Sequence, residues 1–495
     1  MSTTDVDSEG TAASGQVFTS TRWSVIGRVV CQLLRFVSII LLATMLSPSD
    51  FGIMGMALFV LGFIRLFRTL GTSQALIQKA ELSPALLDSV FWVNFAFSSL
   101  LAVAVWLCAG PIAWLFGEPA VAPVLAFLAI QLVLLAPSDV SQALLNRRMA
   151  FKALAVTDVA ATLIYIVAVL GLAYLGFGVW ALAIAATAEA ALQTAAFLVT
   201  ARWRPHLRFS MAEIRQIFGF SLNLSAFNVV NFTLVNADKP LVGRFLGAGD
   251  LGLYTMSNRI VGISVQYVQP AFINVLFPAM ARSADDDARL VRGVHRASTG
   301  LALVFLPLFG GIAAVADVFV RVAFSPEWAM LALLLPAFAA RYALESINRV
   351  SAVLYRVKGR TDLQFYWGVA TGVICLAAYV IGLQWGLAGV VAAQVVAALL
   401  LVYPSLHIPL KLIGVPVPRF LRALLPHAAC TVLMIVAVRG VIYAAEPWLG
   451  YDLLLLLAAI AAGVVTYGLA VLALRPAGAQ DLLRLAGYRP HLAAA

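Results

Sequence analysis

The chain has 495 residues, of which 62% are apolar and 11% are charged, and its formal net charge is +10. Soluble globular proteins are about 45–50% apolar and about 25% charged, so this composition excludes a soluble enzyme, a disordered chain and a secreted disulfide scaffold. Together with a mean hydropathy of +0.96, it predicts a polytopic membrane protein. The four cysteines and five histidines lack ligand spacing, so neither a metal site nor a cofactor is expected.

The predicted elements are apolar helices that follow a polar N-terminal arm, Met1 to Thr21, which does not have the pattern of a cleavable signal. Stretches of about 20 apolar residues, each long enough to cross a hydrocarbon core of about 30 Å, recur from Trp23 onward. Because backbone groups in lipid must be hydrogen-bonded within their own segment, these stretches are expected to be helical. Fourteen spans are predicted: 23–45, 52–77, 85–109, 119–145, 152–175, 178–200, 217–245, 252–280, 294–320, 328–354, 362–382, 386–408, 422–445 and 449–474.

Lysine and arginine residues divide unevenly between the predicted loops. Eighteen lie in loops that follow even-numbered spans, whereas Arg321 alone lies in a loop that follows an odd-numbered span. Since cytoplasmic loops carry the excess of basic residues, both termini are predicted to be cytoplasmic. The longest loop, 201–216, has only 16 residues, so no extramembrane catalytic domain is expected.

The second half of the chain repeats features of the first. Leu46–Gly52 matches Leu246–Gly252, and Ala143–Arg147 resembles Ala352–Arg356, each pair six spans apart. Because six is even, the copies have the same topology, which predicts two pseudo-symmetric six-helix lobes; chance similarity between glycine-rich turns is the alternative. The predicted organisation is a cytoplasmic arm (1–22), a first lobe (23–200), a linker (201–216), a second lobe (217–408), two additional helices (409–474) and a cytoplasmic tail (475–495).

Ten basic residues lie inside the predicted spans, where a charge at the bilayer centre costs about 2.5–3.5 kcal/mol. Those near span ends, such as Arg244 and Arg439, can extend to the interface. Helical spacing aligns others in polar stripes, which on apolar helices face a bundle interior or a wet cavity. The stripes comprise Ser24, Arg28, Gln32 and Arg35 on the first span, Arg65, Arg68, Thr69 and Thr72 on the second, and Arg259 and Gln266 on the eighth.

The carboxylates inside the spans leave two roles open, ion coupling or neutralisation of arginines. Glu345 lies four residues from Arg341, which suits pairing on one helix, whereas Glu189 has no partner nearby in the sequence. Because guanidinium groups match phosphate geometry, central arginines predict a transporter of a phosphate-bearing or similarly anionic substrate. The predicted substrate-binding residues are Arg28, Arg35, Arg65, Arg68 and Arg259, with Gln32, Asn231, Asp238, Lys239 and Gln266 as supporting polar residues.

Two stretches, Leu46–Ile53 and Asn236–Gly247 with the following Leu251–Tyr254, carry a resemblance to a known family. From about Val17 to His407, the chain resembles Wzx-type polysaccharide flippases of the MOP superfamily, within the exopolysaccharide, capsule and colanic-acid branch. That superfamily also contains MATE drug exporters and lipid II flippases. The resemblance implies an all-α, V-shaped fold and movement of undecaprenyl-pyrophosphate-linked oligosaccharide repeat units across the bacterial inner membrane by alternating access.

The resemblance also implies partners, namely the lipid-linked oligosaccharide and membrane lipids, with a polysaccharide polymerase and export machinery as candidates. A monomer without a nucleic-acid partner and without enzymatic activity is also expected. Two other functions stay open. A MATE-like cation-coupled drug antiporter usually takes cationic substrates, which suit arginines poorly. A membrane glycosyltransferase or polysaccharide polymerase usually has large outer loops, which are not predicted here.

Overall fold

The computed structural model describes residues 27, 29–68, 76, 79, 82–283, 286–448 and 451–476, and within these the side chains of all but 216–228, 264, 266–279 and 351. Every regular element in these ranges is helical, which confirms the all-α class. The helices are α1 (Val29–Ala43), α2 (Pro48–Arg68), α3 (Pro84–Phe116), α4 (Val121–Leu128), α5 (Ile130–Leu135), α6 (Ser138–Arg147), α7 (Phe151–Tyr174), α8 (Val179–Ala201), α9 (Met211–Asn236), α10 (Asp238–Ala281), α11 (Asp287–Ala323), α12 (Leu331–Val357), α13 (Thr361–Gly382), α14 (Gly386–Lys411), α15 (Val417–Ala445) and α16 (Asp452–Leu474).

Several of these helices have the length and hydropathy of membrane spans. Within the described ranges there are eight such helical stretches, or nine if the bent segment α4–α6 is one span. One of the eight, Thr361–Lys411, contains both α13 and α14, which a 3₁₀ turn at Leu383–Trp385 separates. The chain is therefore a multi-pass membrane protein, and the total of fourteen spans stays a prediction.

The spacing of Ser47 and Asp50 explains where α2 begins, because the two residues form a capping box. The Ser47 backbone N–H donates to Asp50 Oδ2 over 3.0 Å, and the Asp50 backbone N–H donates to Ser47 Oγ over 3.3 Å. Pro48 occupies the first helical position, where a missing N–H costs nothing. The first copy of the repeated motif is thus a helix start signal.

The fourth predicted span is bent. Val121–Leu135 and Ser138–Arg147 meet at 47°, and Pro137 lies at the junction. A proline ring removes one backbone hydrogen bond and clashes with the preceding turn, which accounts for the bend. Gln131 lies in the first turn of the short α5 within this bent segment and is 3% exposed.

The seventh predicted span, 217–245, differs from the observed helices: α9 begins at Met211 and ends at Asn236, and α10 begins at Asp238. Pro240 has no N–H to continue α9, and the Asp238 carboxylate instead accepts from the Lys239 backbone N–H over 3.0 Å. The Asn-Ala-Asp-Lys-Pro motif therefore marks a helix break. A second break follows inside α10 at Gly247, whose φ of +89° is left-handed and suits glycine.

The two copies of the repeated motif contact each other reciprocally. A Cβ atom added to Gly52 would lie 1.7 Å from the Ala248 carbonyl oxygen, and one added to Gly252 would lie 1.8 Å from the Pro48 carbonyl oxygen. Residue pairs 48/248 and 52/252 are equivalent at the repeat offset of 200. Glycine at both positions lets α2 and the start of the second part of α10 cross with their backbones in contact, as small residues do in membrane helix packing.

The chain forms two compact units, Met1–Gly252 and Leu253–Ala495. In the first unit, one buried cluster joins the start of α3 to α6 through Leu86, Val90, Phe91, Val140 and Leu144. The domain boundaries predicted from the sequence stay a prediction.

In the second unit, α15 and α16 pack on α11 through a buried cluster that includes Val318, Met434 and Leu455. Two ion pairs reinforce this packing: Arg439 Nη1 lies 2.8 Å from Asp317 Oδ2, and Arg321 Nη2 lies 3.0 Å from Glu446 Oε1. Since lipid tails are as apolar as leucine, close packing and such polar contacts hold membrane helices together. The two additional helices thus dock on α11.

Candidate functional site

Arg35, the central arginine of α1, forms an ion pair with Glu189 of α8. Its guanidinium also donates to Thr162 Oγ1 over 3.4 Å and lies 5.4 Å from the centroid of the Tyr165 ring, both on α7. Beside this pair, Gln193 Nε2 donates to Asp158 Oδ1 over 2.8 Å. The acid that the sequence left without a partner therefore neutralises the arginine predicted to bind substrate.

Arg68, at the end of α2, forms a bidentate ion pair with Asp139 of α6. Its Nη1 and Nη2 atoms lie 3.0 and 2.9 Å from the two carboxylate oxygens. The side chains are 12% and 6% exposed, so this pair is largely shielded from water. The parallel geometry is that of a strong charge-assisted pair, and it joins α2 to the bent segment.

Arg65, one helical turn before Arg68, has a neutral partner. Its Nη2 atom donates to Gln131 Oε1 over 2.9 Å, and Gln131 Nε2 donates to Thr187 Oγ1 over 3.1 Å. Gln131 thereby links α2 to α8. Among the described residues, no carboxylate lies within ion-pair distance of Arg65, so the amide orients the guanidinium without cancelling its charge.

A related network lies in the second unit. Arg341 Nε lies 2.7 Å from Glu345 Oε1, and Arg341 Nη1 donates to Gln394 Oε1 over 2.7 Å. Gln394, which is 4% exposed, donates onward to the Tyr254 hydroxyl over 2.8 Å. Arg349 lies 3.4 Å from the other Glu345 oxygen. Here a buried glutamine again joins an arginine to a hydroxyl on a third helix.

The two glutamine-centred networks use equivalent predicted spans. The first joins spans two, four and six through Arg65, Gln131 and Thr187, and the second joins spans eight, ten and twelve through Tyr254, Arg341 and Gln394. In the first network the arginine lies on the second span. In the second network it lies on the tenth span, whose equivalent in the first half of the repeat is the fourth span and not the second. In the described part of the chain, both networks therefore join an arginine guanidinium to a buried amide.

The remaining predicted site residues are dispersed. Lys239 Nζ donates to Asn236 Oδ1 over 2.5 Å, and Asp238 is buried at the start of α10. Arg259 and Asn231 are exposed on α10 and α9, and Gln32 is half-buried on α1. Ser24, Arg28, Thr69 and Thr72 lie outside the described residues, as does the side chain of Gln266.

Sequence reasoning missed Gln131 and Gln394, which organise the two networks. Each is a lone amide within an apolar run, Ile130-Gln131-Leu132 and Ala393-Gln394-Val395. An amide buried in an apolar setting is costly unless it is hydrogen-bonded. That cost was the available signal for these two residues.

Long apolar helices that carry buried arginine networks define a helical multi-pass membrane protein. A family profile described as "Polysaccharide biosynthesis protein" matches residues 41–333, more than half of the chain. The chain belongs to this polysaccharide biosynthesis protein family, and the family predicted from the sequence is confirmed.

Individual relatives agree. The succinoglycan biosynthesis transport protein ExoT of Rhizobium meliloti (strain 1021) is 30% identical over 308 residues, 62% of each chain, so the match spans about three fifths of that relative. The lipopolysaccharide biosynthesis protein WzxC of Escherichia coli (strain K12) is 25% identical over 369 residues, 73% of this chain and 74% of WzxC.

Among solved structures, the lipid II flippase MurJ in an inward closed conformation matches with a TM-score of 0.71. The match covers 94% of this chain and 100% of MurJ at 15% identity. At that identity the similarity shows a shared fold and nothing about cargo.

Proposed function

We propose that the protein is a flippase that moves undecaprenyl-pyrophosphate-linked oligosaccharide repeat units across the bacterial inner membrane by alternating access. It serves exopolysaccharide or lipopolysaccharide biosynthesis, with both termini in the cytoplasm. Membership of the polysaccharide biosynthesis family, a relative named as a transport protein and a flippase fold support this proposal. Its immediate partners are the lipid-linked oligosaccharide and membrane lipids, and a polymerase and export machinery act on the product.

The observation that carries the proposal is the environment of Arg65. This guanidinium is held in place by the Gln131 amide, and nearby Arg68 is matched by Asp139. The group formed by these three charged side chains therefore has one positive charge in excess. An oriented, uncompensated cation within a membrane protein suits an anionic ligand, and guanidinium suits a pyrophosphate in particular.

The other arginines then take distinct roles. Arg35 meets the substrate only in competition with Glu189, because the two are already paired. Arg341 is paired with Glu345, and we assign Glu189, Arg341 and Glu345 to charge pairing rather than to direct substrate contact. Arg65 is the principal pyrophosphate ligand, whereas the substrate reaches Arg68 only in competition with Asp139. Arg28 and Arg259 stay predicted substrate-binding residues.

Replacement of Arg65 tests the proposal. Arg65→Ala is expected to reduce transport of a lipid-linked oligosaccharide in proteoliposomes about 10- to 100-fold, since a hydrogen bond to a charged group contributes about 1.5–3 kcal/mol. Arg439→Ala is the matched control, because it also removes an intramembrane arginine but one paired with Asp317 near a helix end. Equal transport by both variants at equal abundance would overturn the assignment.

Two activity tests on the wild-type protein distinguish the flippase from the alternative functions. A drug antiporter would restore drug resistance to a strain that lacks its exporters, and a polymerase would elongate the oligosaccharide in detergent. We expect neither, because a site with excess positive charge disfavours cationic drugs and the outer loops are short. Either activity in the wild-type protein would replace the flippase proposal.

A further inference from the structure

The segment that follows α8 exposes apolar side chains on the surface of the protein. Leu207 is 91% exposed, Phe209 is 57% exposed and Met211 is 55% exposed. Three arginines of the same segment are also exposed: Arg202 and Arg204 precede Leu207, and Arg208 lies between Leu207 and Phe209. We call residues 202–211 the 202–211 strip. Apolar side chains so exposed beside a membrane span need a cover that the chain itself does not supply in its described part.

The strip is held firmly against α3, so its exposure is not that of a loose loop. Trp92 Nε1 donates to the His206 carbonyl over 2.8 Å, and the His206 N–H donates to Asp88 Oδ1 over 3.1 Å. The Ser210 N–H donates to Ser89 Oγ over 2.8 Å. Within the strip, Trp203 packs edge to face on Phe91, with ring centroids 5.8 Å apart. These contacts fix which side chains point outward.

The strip lies at the ends of two candidate membrane spans, where lipid headgroups are expected. α8 is a candidate membrane span that ends at Ala201, directly before the strip. α3 has 33 residues, whereas about 20 are enough to cross the hydrocarbon core. The strip binds residues 88–92, close to the N-terminal end of α3.

The strip is strongly basic, and nearby acids are already engaged. Asp88 is buried and accepts from His206. Glu213 accepts from Ser83 Oγ over 3.0 Å and from Lys79 Nζ over 3.3 Å. These hydrogen bonds lower the pKa of the Glu213 carboxyl, and the bond from Ser83 has the larger effect. Among the described residues, no ion pair involves Arg204 or Arg208. Their charge is therefore available to an external anion.

We infer that the 202–211 strip is a binding surface for anionic phospholipids of the adjacent leaflet. The arginines contact headgroup phosphates while Leu207, Phe209 and Met211 insert at the boundary with the acyl chains. Alternating basic and apolar side chains on a surface at the membrane interface fit this class of ligand. This inference is independent of the cargo and of the arginines assigned to it.

Native mass spectrometry of the full-length protein in neutral detergent, titrated with phosphatidylglycerol or phosphatidylcholine, tests the inference. The double variant Arg204→Gln/Arg208→Gln is expected to lose about 30-fold in phosphatidylglycerol affinity and little in phosphatidylcholine affinity. Leu207→Ser/Phe209→Ser is expected to weaken binding of both lipids. All substituted side chains are exposed, and unchanged thermal unfolding would verify that the variants fold.

The matched control is Arg289→Gln/Arg292→Gln, which removes two exposed arginines from the first turns of α11. An equal loss of affinity in this control would show a general charge effect and overturn the inference. So would unchanged phosphatidylglycerol binding by the strip variants. Inorganic phosphate serves as a competitor: if millimolar phosphate displaced the lipid fully, the strip would be a simple anion site and not a lipid surface.

Discussion

The glutamine that holds Arg65 offers a sharp test of how the site works. Gln131→Glu replaces the amide with a carboxylate of nearly the same shape, 2.9 Å from the Arg65 guanidinium. Gln131 is 3% exposed, so the new carboxylate is shielded from bulk water and stays close to its cation. The excess positive charge that we assign to pyrophosphate binding is then cancelled without removing an arginine.

The size of the effect follows from charge competition. A hydrogen bond between charged groups contributes about 1.5–3 kcal/mol, and the anionic substrate must displace the new carboxylate to reach Arg65. A cost near 2 kcal/mol corresponds to about 30-fold weaker substrate affinity. The protein itself gains an ion pair, so its thermal stability should be equal or higher. Loss of transport with retained stability is the signature of a charge effect.

The assay is transport of lipid-linked oligosaccharide in proteoliposomes, with abundance and thermal unfolding measured on the same preparations. Gln131→Leu is the comparison, because it removes the hydrogen bonds to Arg65 and Thr187 and leaves the positive charge in place. We expect a smaller transport loss in Gln131→Leu than in Gln131→Glu, and a lower stability. Wild-type transport by Gln131→Glu would refute the reasoning, since it would mean that the charge of Arg65 does not act on the substrate.

Two further predictions concern packing and pairing. Gly52→Ala places a Cβ 1.7 Å from the Ala248 carbonyl, so we expect at least about 2 kcal/mol of destabilisation in thermal unfolding; Gly171→Ala, which meets nothing within 4 Å, is the control, and similar losses in both would contradict the close crossing. For the Arg35–Glu189 pair, either single change to glutamine leaves one charge unpaired and should cost about 1–3 kcal/mol, whereas the double change should recover much of it. Additive effects in that double-mutant cycle would show that the two side chains do not interact.

Some features of the fold follow directly from local sequence. The capping box of Ser47 and Asp50 with Pro48 is readable as a helix start, and Gly247 marks a break between helices. The helix boundary before Asp238 was not predicted, because Asn236 to Pro240 lies inside the seventh predicted span and hydropathy does not register a missing N–H. The bend beside Pro137 was likewise hidden inside one predicted span.

The sequence by itself determined that this protein lies in a lipid bilayer and which family it belongs to. Composition identified lipid, helical length followed from bilayer thickness, and the motifs around Asp50 and Asp238 indicated the family. It also identified the arginines whose burial is costly, since Arg35, Arg65 and Arg68 stand in otherwise apolar helices.

Only the tertiary structure decided which group faces each arginine. Gln131 is 66 residues from Arg65, and Glu189 is 154 residues from Arg35. Helical periodicity tells which face of a helix is polar, but not which helix lies against that face. The charge available at a buried arginine depends on whether that neighbour brings a carboxylate or an amide. The packing of the helices therefore separates Arg65, oriented by an amide, from Arg35 and Arg68, which are neutralised by acids.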